Sequence, residues 1–437
     1  MPLYEDIPQS LREEMRFITS LSVPVSWRRQ YCGVFEARYG GVIYYLLDNQ
    51  YYFKRKGLYG HYDDAERFAF LSRAALEMLP YIDFKPDIIH CNDWQTGPVC
   101  MYLKEIYRKM IYYSRIKTLF TIHNLQYQGN FDKSTMELLG VPYYCYENGN
   151  VEFYGNVSYM KMGLMYADRI STVSQTYAKE IQTWQYGYGM DGILKSRKNV
   201  LSGIINGIDY VTNDPATDKR IQVHFDADHL EGKAENKRLL QERLGLEQRD
   251  VPIIGMITRL ADQKGLDILS YVFDEMMCRD VQFVLLGTGE NRFEYLFRSM
   301  EERYRGRVSA NIFFDENLAQ QIYAGSDMFL MPSLFEPCGL GQMFALRYGT
   351  VPIVRKTGGL ADTIFQYSTE TKEGNGFLFE TYDGNGLLWA LDQALAVYHQ
   401  GKDEWQNVVK NAMASNYSWE SSAREYIKLY ESLRDGE

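Results

Sequence analysis

Several features are missing from this 437-residue chain, and each absence excludes a class of protein. No apolar run is long enough to span a lipid bilayer, and the opening residues MPLYEDIPQS lack the basic start and apolar stretch of a signal peptide. The six cysteines form no CxxC pair, so their spacing indicates neither a zinc site nor a disulfide framework. We therefore expect a cytoplasmic protein that does not bind membranes.

Positive charge is also scarce. Lys and Arg number 47 against 57 Asp and Glu, which gives a net charge of −10. This balance argues against nucleic acid as the main partner, and it fits a neutral polymer or a small anion held in a locally basic cleft. The chain contains no Walker sequence and no histidine cluster with metal-ligand spacing, so neither a bound metal nor a cofactor is implied.

Short apolar runs alternate with longer helical patterns in both halves of the chain. The runs are nearly continuous rather than alternating, which is typical of strands buried on both faces of a parallel sheet. Strand and helix alternation repeated over two halves predicts an α/β chain with two doubly wound domains. The predicted strands are Val42–Leu47, Ile88–His90, Thr118–His123, Arg169–Val173, Val200–Ile205, Ile253–Ile257, Val281–Leu286, Ile312–Phe314, Met328–Met331 and Val351–Val354.

A segment rich in turn-forming residues, Asn206–Asp218, marks the predicted boundary between the domains. We place the first domain at residues 1–211 and the second at 212–415. Residues 416–437 contain an amphipathic helical pattern, and we expect this helix to pack back on the first domain. Ligands of doubly wound folds bind at the carboxyl ends of the strands, so polar residues at those ends are the candidates for function.

The most specific candidate is PSLFEPCGLGQ, which begins at Pro332 directly after a predicted strand. Glu336 lies in a loop stiffened by Pro337, and the loop continues through Gly339, Leu340 and Gly341 into a predicted helix. Glycines at a helix start let backbone N–H groups approach a phosphate, and the helix dipole favours the negative charge. A carboxylate there would contact sugar hydroxyls or an oxocarbenium-like carbon. The alternative is a capped loop with a solvated glutamate.

A second candidate, TRLADQKG, follows the predicted strand Ile253–Ile257. Arg259 and Lys264 both follow the end of this strand. The forked guanidinium of Arg259 and the compact ammonium group of Lys264 are suited to bind a diphosphate. The alternative is a solvated basic loop. Their position at the carboxyl end of a strand favours the functional interpretation.

The first half contributes two stretches, HCNDWQTG and FTIHNLQYQG, which both begin at predicted strand ends. Asp93 with Trp94 offers an acceptor for sugar hydroxyls beside an apolar face. His123 would donate a hydrogen bond to a sugar hydroxyl or to a backbone oxygen. The competing interpretation of a lone histidine at a strand end is a structural role.

A fourth stretch, RKTGGLADT, follows the last predicted strand, and Thr357 and Gly358 would bring backbone donors close to an anion or sugar. It also fits a tight turn from strand to helix, and the two interpretations are compatible. By contrast, GTGE at Gly287 lacks the third glycine of a dinucleotide fingerprint and is weak evidence for a nicotinamide enzyme.

Taken together, these stretches resemble the bacterial and plant glycogen/starch synthase family. Seven motifs occur in the family's order and span nearly the whole chain. They are HCNDW, TIHNLQYQG, YADRISTVS, IINGID, TRLADQKG, FEPCGLGQ and KTGGLADT. The resemblance implies an α/β chain of the GT-B architecture, with two facing Rossmann-like parallel-sheet domains, a cleft between them and no catalytic metal.

The same resemblance implies roles for single residues. Glu336 looks like the acid essential for glucose transfer, and Arg259 and Lys264 look like the diphosphate clamp. Asp93 and His123 are expected to touch the transferred glucose. The remaining substrate-binding residues expected from the resemblance are Asn206, Phe314 (in place of a tyrosine that stacks on adenine), Gly339, Leu340, Gly341, Thr357 and Gly358.

The chain departs from the family pattern at two points. Gly341 replaces the usual Thr or Ser, which removes a hydroxyl but keeps the backbone N–H. Family members also begin with a strand and a KxGGL loop that this sequence does not contain, so we expect the natural product to be longer.

The predicted function is retaining transfer of glucose from ADP-glucose to the non-reducing end of an α-1,4-glucan such as glycogen. Two alternatives stay open at this point. One is an inactive remnant that binds glucan or nucleotide. The other is a different GT-B glucosyltransferase of the sucrose or trehalose synthase type.

Overall fold

The computed structural model describes residues 1–436, which divide into two compact units. The first unit comprises Met1–Thr172, Ala178–Ser202 and the residues from Ile427 onward, and the second comprises Val173–Tyr177 and Gly203–Tyr426. Residues 203–211 therefore belong to the second unit in this division. The domain limits expected from the sequence stay a prediction.

The first unit contains a parallel sheet with the strand order β10-β9-β5-β4 and two smaller antiparallel sheets. Its strands are β1 (Arg16–Val25), β2 (Arg28–Tyr39), β3 (Val42–Asp48), β4 (Ile88–Asn92), β5 (Lys117–Ile122), β6 (Asn130–Phe131), β7 (Glu152–Phe153), β8 (Asn156–Ser158), β9 (Arg169–Thr172) and β10 (Leu201–Gly203, which ends at the transition to the second unit).

Helices of this part of the chain are mostly short. They are α1 (Gln9–Glu13), α2 (Gln50–Phe53), α3 (Asp64–Glu77), α4 (Gly97–Tyr102), α5 (Thr135–Leu139), α6 (Tyr144–Glu147), α7 (Tyr159–Tyr166), α8 (Gln175–Glu180) and α9 (Asp191–Ser196). The central strand β5 is buried over Thr118–Ile122, as expected for a parallel strand covered on both faces.

One predicted strand has the wrong environment. Val42–Leu47 was expected in a buried parallel sheet, but it lies in β3, which pairs antiparallel with β2. Its first residues are exposed, and its far end forms a parallel bridge from Leu47 to Pro2. The turn before it contains Gly40 and Gly41, both with positive φ, which favours a tight hairpin.

The second unit is built on a six-stranded parallel sheet with the order β13-β12-β11-β14-β15-β16. Its strands are β11 (Ile253–Ile257), β12 (Gln282–Leu286), β13 (Val308–Asn311), β14 (Met328–Met331), β15 (Val351–Arg355) and β16 (Phe377–Phe379). Its helices are α10 (Glu231–Arg243), α11 (Leu266–Met277), α12 (Asn291–Arg303), α13 (Glu316–Gly325), α14 (Gly341–Arg347), α15 (Gly358–Thr363), α16 (Gly384–His399) and α17 (Lys402–Ala414), followed by α18 (Trp419–Asp435).

The predicted strand Ile312–Phe314 is misplaced. The strand is β13, Val308–Asn311, and the apolar residues follow its end, where Phe313 and Phe314 are 46% and 84% exposed. By contrast, the limits predicted for β11 and β14 agree with the structure. The expectation of an α/β chain with two Rossmann-like parallel sheets is confirmed.

The last part of α18, from Ile427 onward, belongs with the first unit. There the Tyr430 hydroxyl lies 2.7 Å from Nδ1 of His90 in β4, and Nε2 of the same ring lies 2.6 Å from the Thr121 hydroxyl in β5. None of the helices within residues 1–436 has the length and apolarity needed to cross a lipid bilayer.

Candidate active-site residues in the two units

In the second unit the candidate residues follow β11 and β14. These two strands are neighbours in the sheet, although three α-helices and two strands lie between them in the sequence. The direction in which successive strands are added to the sheet therefore reverses between β11 and β14. A crevice outside the carboxyl ends of the strands is the usual ligand position at such a reversal. The loops 258–265 and 332–340 begin at these two ends.

Glu336 is buried in the second of these loops, where its side chain is 8% exposed. Lys264 from the first loop donates from Nζ to Glu336 Oε2 at 2.7 Å, and the Ser333 hydroxyl donates to the same oxygen at 3.0 Å. The Lys264 side chain is only 18% exposed. The carboxylate is therefore held by one opposite charge and one hydroxyl.

Backbone contacts hold the two loops together. The Leu334 N–H donates to the Gln263 carbonyl at 2.9 Å, and the Gln263 side chain donates back to the Phe335 carbonyl at 3.1 Å. Gly265 has φ of +70° and packs so closely that a Cβ there would lie 2.0 Å from the Pro332 carbonyl oxygen. Glycine is therefore required at this approach.

The loop after β15 packs on Glu336 from another direction. A Cβ on Gly358, whose φ is +45°, would lie 2.0 Å from the Glu336 carbonyl oxygen, and the Gly359 N–H donates to that oxygen at 3.1 Å. Thr357 is buried at the start of α15. These residues thus fix the backbone of Glu336, whatever else they bind.

The segment Gly339–Gly341 leads into α14. Gly339 adopts a left-handed conformation with φ of +71°, and Leu340 is 42% exposed. The buried Gln342 side chain donates to the Gly339 carbonyl at 3.1 Å, which closes the turn. A Cβ on Gly341 would lie 3.1 Å from the Phe329 ring in β14. The Leu340 carbonyl accepts the N–H groups of Met343 and Phe344 at 2.9 and 3.0 Å, which begins the hydrogen bonding of α14.

Three further predicted residues lie in the second unit. Arg259 is exposed directly after β11, and Phe314 is exposed after β13. The Asn206 backbone N–H donates a hydrogen bond to the sulfur of Cys338, which lies two residues after Glu336. Burial raises the pKa of the Cys338 thiol to about 12. Asn206 is thus brought next to the Glu336 loop from a distant part of the sequence.

In the first unit Asp93 follows β4 and has an unusual backbone conformation, with φ of 56° and ψ of −179°. Non-glycine residues rarely occupy this region, and doing so costs about 1–3 kcal/mol. The carboxylate accepts the His123 backbone N–H at 2.8 Å. Burial raises the pKa of Asp93, while His123 and the N–H groups of His123 and Asn124 oppose that rise.

His123 follows β5, the neighbour of β4, and its ring Nε2 lies 2.9 Å from Asn92 Oδ1. The structure therefore brings Asp93 and His123 together. Trp94 was expected to offer an apolar face to a sugar, but it is 7% exposed and its ring packs against Phe68 and Phe131. That expectation is wrong, because the indole belongs to the core.

Sequence reasoning missed Asn92 and Ser333, which hold His123 and Glu336. Each lies one to three residues before a predicted acid, so proximity in sequence was the available signal. The discounted stretch GTGE also has a structural role. A Cβ on Gly287 would lie 1.8 Å from the Thr258 carbonyl oxygen, so Gly287 lets β12 end against the loop that bears Arg259.

Comparison with known proteins places these features in context. The family model of the starch synthase catalytic domain matches residues 1–196, and that of glycosyl transferases group 1 matches residues 241–412. The glycogen synthase of Clostridioides difficile (strain 630) is 49% identical over 441 residues, which is 100% of this chain and 92% of the relative. The glycogen synthase of Clostridium kluyveri is 51% identical over 435 residues, 99% of this chain and 91% of the relative.

Solved structures of glycosyltransferases also resemble this chain. The catalytic domain of starch synthase IV from Arabidopsis thaliana, bound to ADP and acarbose, matches with a TM-score of 0.91 and 34% identity, covering 99% of this chain and 91% of that one. Sucrose-phosphate synthase from Thermosynechococcus elongatus matches with a TM-score of 0.58 at 18% identity, which shows a shared fold only. The GT-B class expected from the sequence is confirmed, and the chain belongs to the glycogen/starch synthase family of glycosyltransferases.

Proposed function

We propose that this glycosyltransferase moves glucose from ADP-glucose to the non-reducing end of an α-1,4-glucan, with retention of the anomeric configuration. The observation that supports this reaction best is the buried Lys264–Glu336 pair at the point where the strand order of the second sheet reverses. A cation and a carboxylate side by side match a substrate with a negative diphosphate joined to a carbon that becomes positive.

The second unit would bind the nucleotide diphosphate. Arg259 and Lys264 supply two cations at the end of β11, and the backbone N–H groups at Gly339, Leu340 and Gly341 supply uncharged donors. Hydrogen bonds to charged groups contribute about 1.5–3 kcal/mol each. When the glycosidic bond breaks, negative charge builds up on the departing diphosphate, and these donors stabilise it.

Glu336 would act at the reacting carbon. Its carboxylate is oriented by Lys264 and Ser333, and its backbone by Gly358 and Gly359. A fixed negative group beside an oxocarbenium-like carbon lowers the energy of the transition state more than that of the bound donor. Asn206, adjacent to this loop, would contact the same sugar.

In the first unit, Asp93 and His123 would bind hydroxyls of a glucose residue. The Asp93 carboxylate already accepts backbone N–H groups, and its remaining lone pairs suit sugar hydroxyls. Thr357 and Gly358 in the second unit would help to hold the donor.

The proposed donor is ADP-glucose, and the proposed acceptor is glycogen. The solved relative that binds ADP and acarbose supports an adenine nucleotide and a glucan-like ligand. The 84% exposed ring of Phe314 offers a face for an adenine base, since stacking requires only a π-system.

We also propose a cytoplasmic location. All six cysteines are free thiols and five of them are buried, which suits a reducing compartment.

The proposal is tested by incubating the chain with glycogen and either ADP-[14C]glucose or UDP-[14C]glucose. We expect label in the polymer from ADP-glucose. Glu336→Gln should lower turnover at least about 100-fold, the scale of one electrostatic stabiliser. The exposed Glu370→Gln is the control and should retain activity. A loss of less than threefold for Glu336→Gln would contradict its role, and label passing only to fructose or glucose phosphate would contradict the acceptor.

A further inference from the structure

Asn92 is the last residue of β4, directly before Asp93, and its side-chain oxygen lies beside the His123 ring. We propose that Asn92 is a positioning residue that fixes the tautomer of His123 by accepting a hydrogen bond from its Nε2–H. The part of this inference that concerns turnover depends on the function proposed above, whereas the part that concerns the tautomer does not.

The contact follows from the register of the first parallel sheet. β4 and β5 are neighbours, and Asn92, the last residue of β4, pairs with Thr121. His123 lies just beyond the end of β5, so its ring reaches back over the end of β4. Asn92 Oδ1 and His123 Nε2 are 2.9 Å apart, a normal hydrogen-bond distance.

Two bonds therefore fix His123 from the same strand end. The Asp93 carboxylate accepts the backbone N–H of His123 at 2.8 Å, and Asn92 holds the ring. The first bond fixes the position of the main chain, and the second fixes the rotation of the imidazole. A ring held at one nitrogen presents the other nitrogen in a defined direction.

The chemistry of the amide oxygen decides which nitrogen carries the proton. Asn92 Oδ1 can only accept, so His123 Nε2 must donate to it. In a neutral imidazole only one nitrogen bears hydrogen, which makes Nδ1 an acceptor. His123 would then accept a hydrogen bond from a hydroxyl of the transferred sugar, whereas the sequence suggested that it donates one.

Two other titratable groups, His90 and Asp93, lie near His123. His90 in β4 is held neutral, because burial and the nearby His123 lower its pKa to about 4. Burial raises the pKa of Asp93. A carboxylate in place of the neutral Asn92 amide would place an additional negative charge beside the ring and favour the imidazolium form.

The tautomer is measured directly on the purified chain by 15N NMR of its six histidines at pH 8, with His123→Gln to assign the signal. We expect His123 to show a protonated Nε2 and an unprotonated Nδ1, and Asn92→Leu to bring the two tautomers closer to equal populations. A proton on Nδ1 in the unmodified chain, or no change in Asn92→Leu, would overturn the inference. This readout holds even if the chain transfers no glucose.

The second measurement is the pH profile of glucose transfer. Asn92→Leu should lower kcat about two- to tenfold with little change in KM, the factor that corresponds to one neutral hydrogen bond. Asn92→Asp should resemble the unmodified chain at high pH and lose activity towards neutral pH, because a carboxylate favours the imidazolium, whose Nδ1 can no longer accept. Asn156→Leu, at an exposed asparagine in β8, is the matched control and should change neither quantity.

A purely structural role for Asn92 predicts a different result. Both variants would then lose activity by the same factor at every pH, and the inference would be wrong. If the unmodified chain incorporates no label while NMR shows the expected tautomer, the proposed function fails and the role of Asn92 stands.

Discussion

The two units hold their key carboxylates at strand ends by different means. Glu336 in the second unit has a lysine at 2.7 Å and a hydroxyl at 3.0 Å. Asp93 in the first unit is held by backbone N–H groups on a residue with positive φ, and burial raises its pKa. An ion pair compensates the charge of one acid, whereas hydrogen bonds and a strained main chain constrain the other.

This difference has energetic consequences. Removing one partner of a buried pair leaves an uncompensated charge, so the second site should be sensitive to single substitutions. A strained and partly desolvated acid opposes folding, so the first site should gain stability when its charge is removed, at the expense of activity. The following predictions test this contrast, from the largest expected effect to the smallest.

The largest effect is expected for Lys264→Met. It leaves Glu336 buried without a counter-charge and should lower the free energy of unfolding of the second unit by about 3–5 kcal/mol. Adding Glu336→Gln should restore much of that stability without restoring glucose transfer. Denaturant unfolding and label incorporation measure the two quantities. Lys356→Met, which breaks an exposed pair with Glu380, is the control and should cost less than about 1 kcal/mol. Equal losses of unfolding free energy in Lys264→Met and Lys356→Met would show that the Lys264–Glu336 pair stabilises the second unit no more than an exposed ion pair does.

Gly358→Ala should come next, because its Cβ would meet the Glu336 carbonyl oxygen at 2.0 Å. We expect a loss of about 3 kcal/mol in unfolding free energy and a fall in kcat of at least tenfold, since the acid is displaced. Gly192→Ala in α9, where a Cβ has nothing within 4 Å, is the control and should be neutral or slightly stabilising. Thermal melts and steady-state kinetics compare the two, and wild-type behaviour of Gly358→Ala would mean that this loop does not restrain Glu336.

In the first unit, stability should depend on the protonation of His90. Burial lowers its folded pKa to about 4 from an ordinary value of 6.5, so the unfolded chain binds the extra proton first as the pH falls. Neutral His90 therefore makes its full contribution to the free energy of unfolding above pH 6.5. This contribution falls by up to about 3 kcal/mol as the pH decreases from 6.5 to 4. Denaturant unfolding should show this slope, and His90→Gln should flatten it. His399→Gln, at an exposed histidine, should leave the pH dependence of the unfolding free energy unchanged. A pH dependence that is lost in His399→Gln and kept in His90→Gln would contradict the prediction.

The smallest effect is expected for Asp93→Asn. The amide oxygen can still accept the His123 N–H, while the cost of a buried charge disappears. We expect the melting temperature at pH 7 to stay equal or to rise by an amount equivalent to about 1 kcal/mol, while kcat/KM falls at least tenfold. The exposed Asp250→Asn is the control for both measurements. Destabilisation of Asp93→Asn would show that the ionised form is compensated after all.

The sequence predicted much of the fold because parallel strands are short and almost wholly apolar. β11 and β14 were predicted at their observed limits for this reason. The hairpin of β1 and β2 was missed because apolar and polar residues are interspersed along both strands and most positions are exposed or half-buried. The strand predicted at Ile312–Phe314 was wrong because Ile and Phe favour strands in any sequence. The observed strand β13 has the sequence VSAN, whose small and polar residues are buried by the neighbouring elements.

For the candidate site, the sequence selected loops at strand ends but not the contacts within them. The roles of Asp93, Lys264 and Glu336 stay predictions, and what the structure adds is that Lys264 contacts Glu336 and that Asp93 contacts His123. Which residues hold them depends on which strands are adjacent, and neither the β4–β5 register nor the β11–β14 pairing is encoded locally. The positive φ of Asp93 is likewise a tertiary effect, since nothing in HCNDW requires it.

The close approach of Gly341 to Phe329 has a consequence for substitutions at either position. A side chain at position 341 must share space with the ring at 329, which already lies 3.1 Å from where a Cβ would be, and with the Met331 sulfur at 3.4 Å. Recovering the hydroxyl residue that the family usually has there would therefore require the Phe329 ring to move by a few tenths of an ångström. Substitutions at positions 329 and 341 should therefore be coupled in their effects on the stability of the second unit.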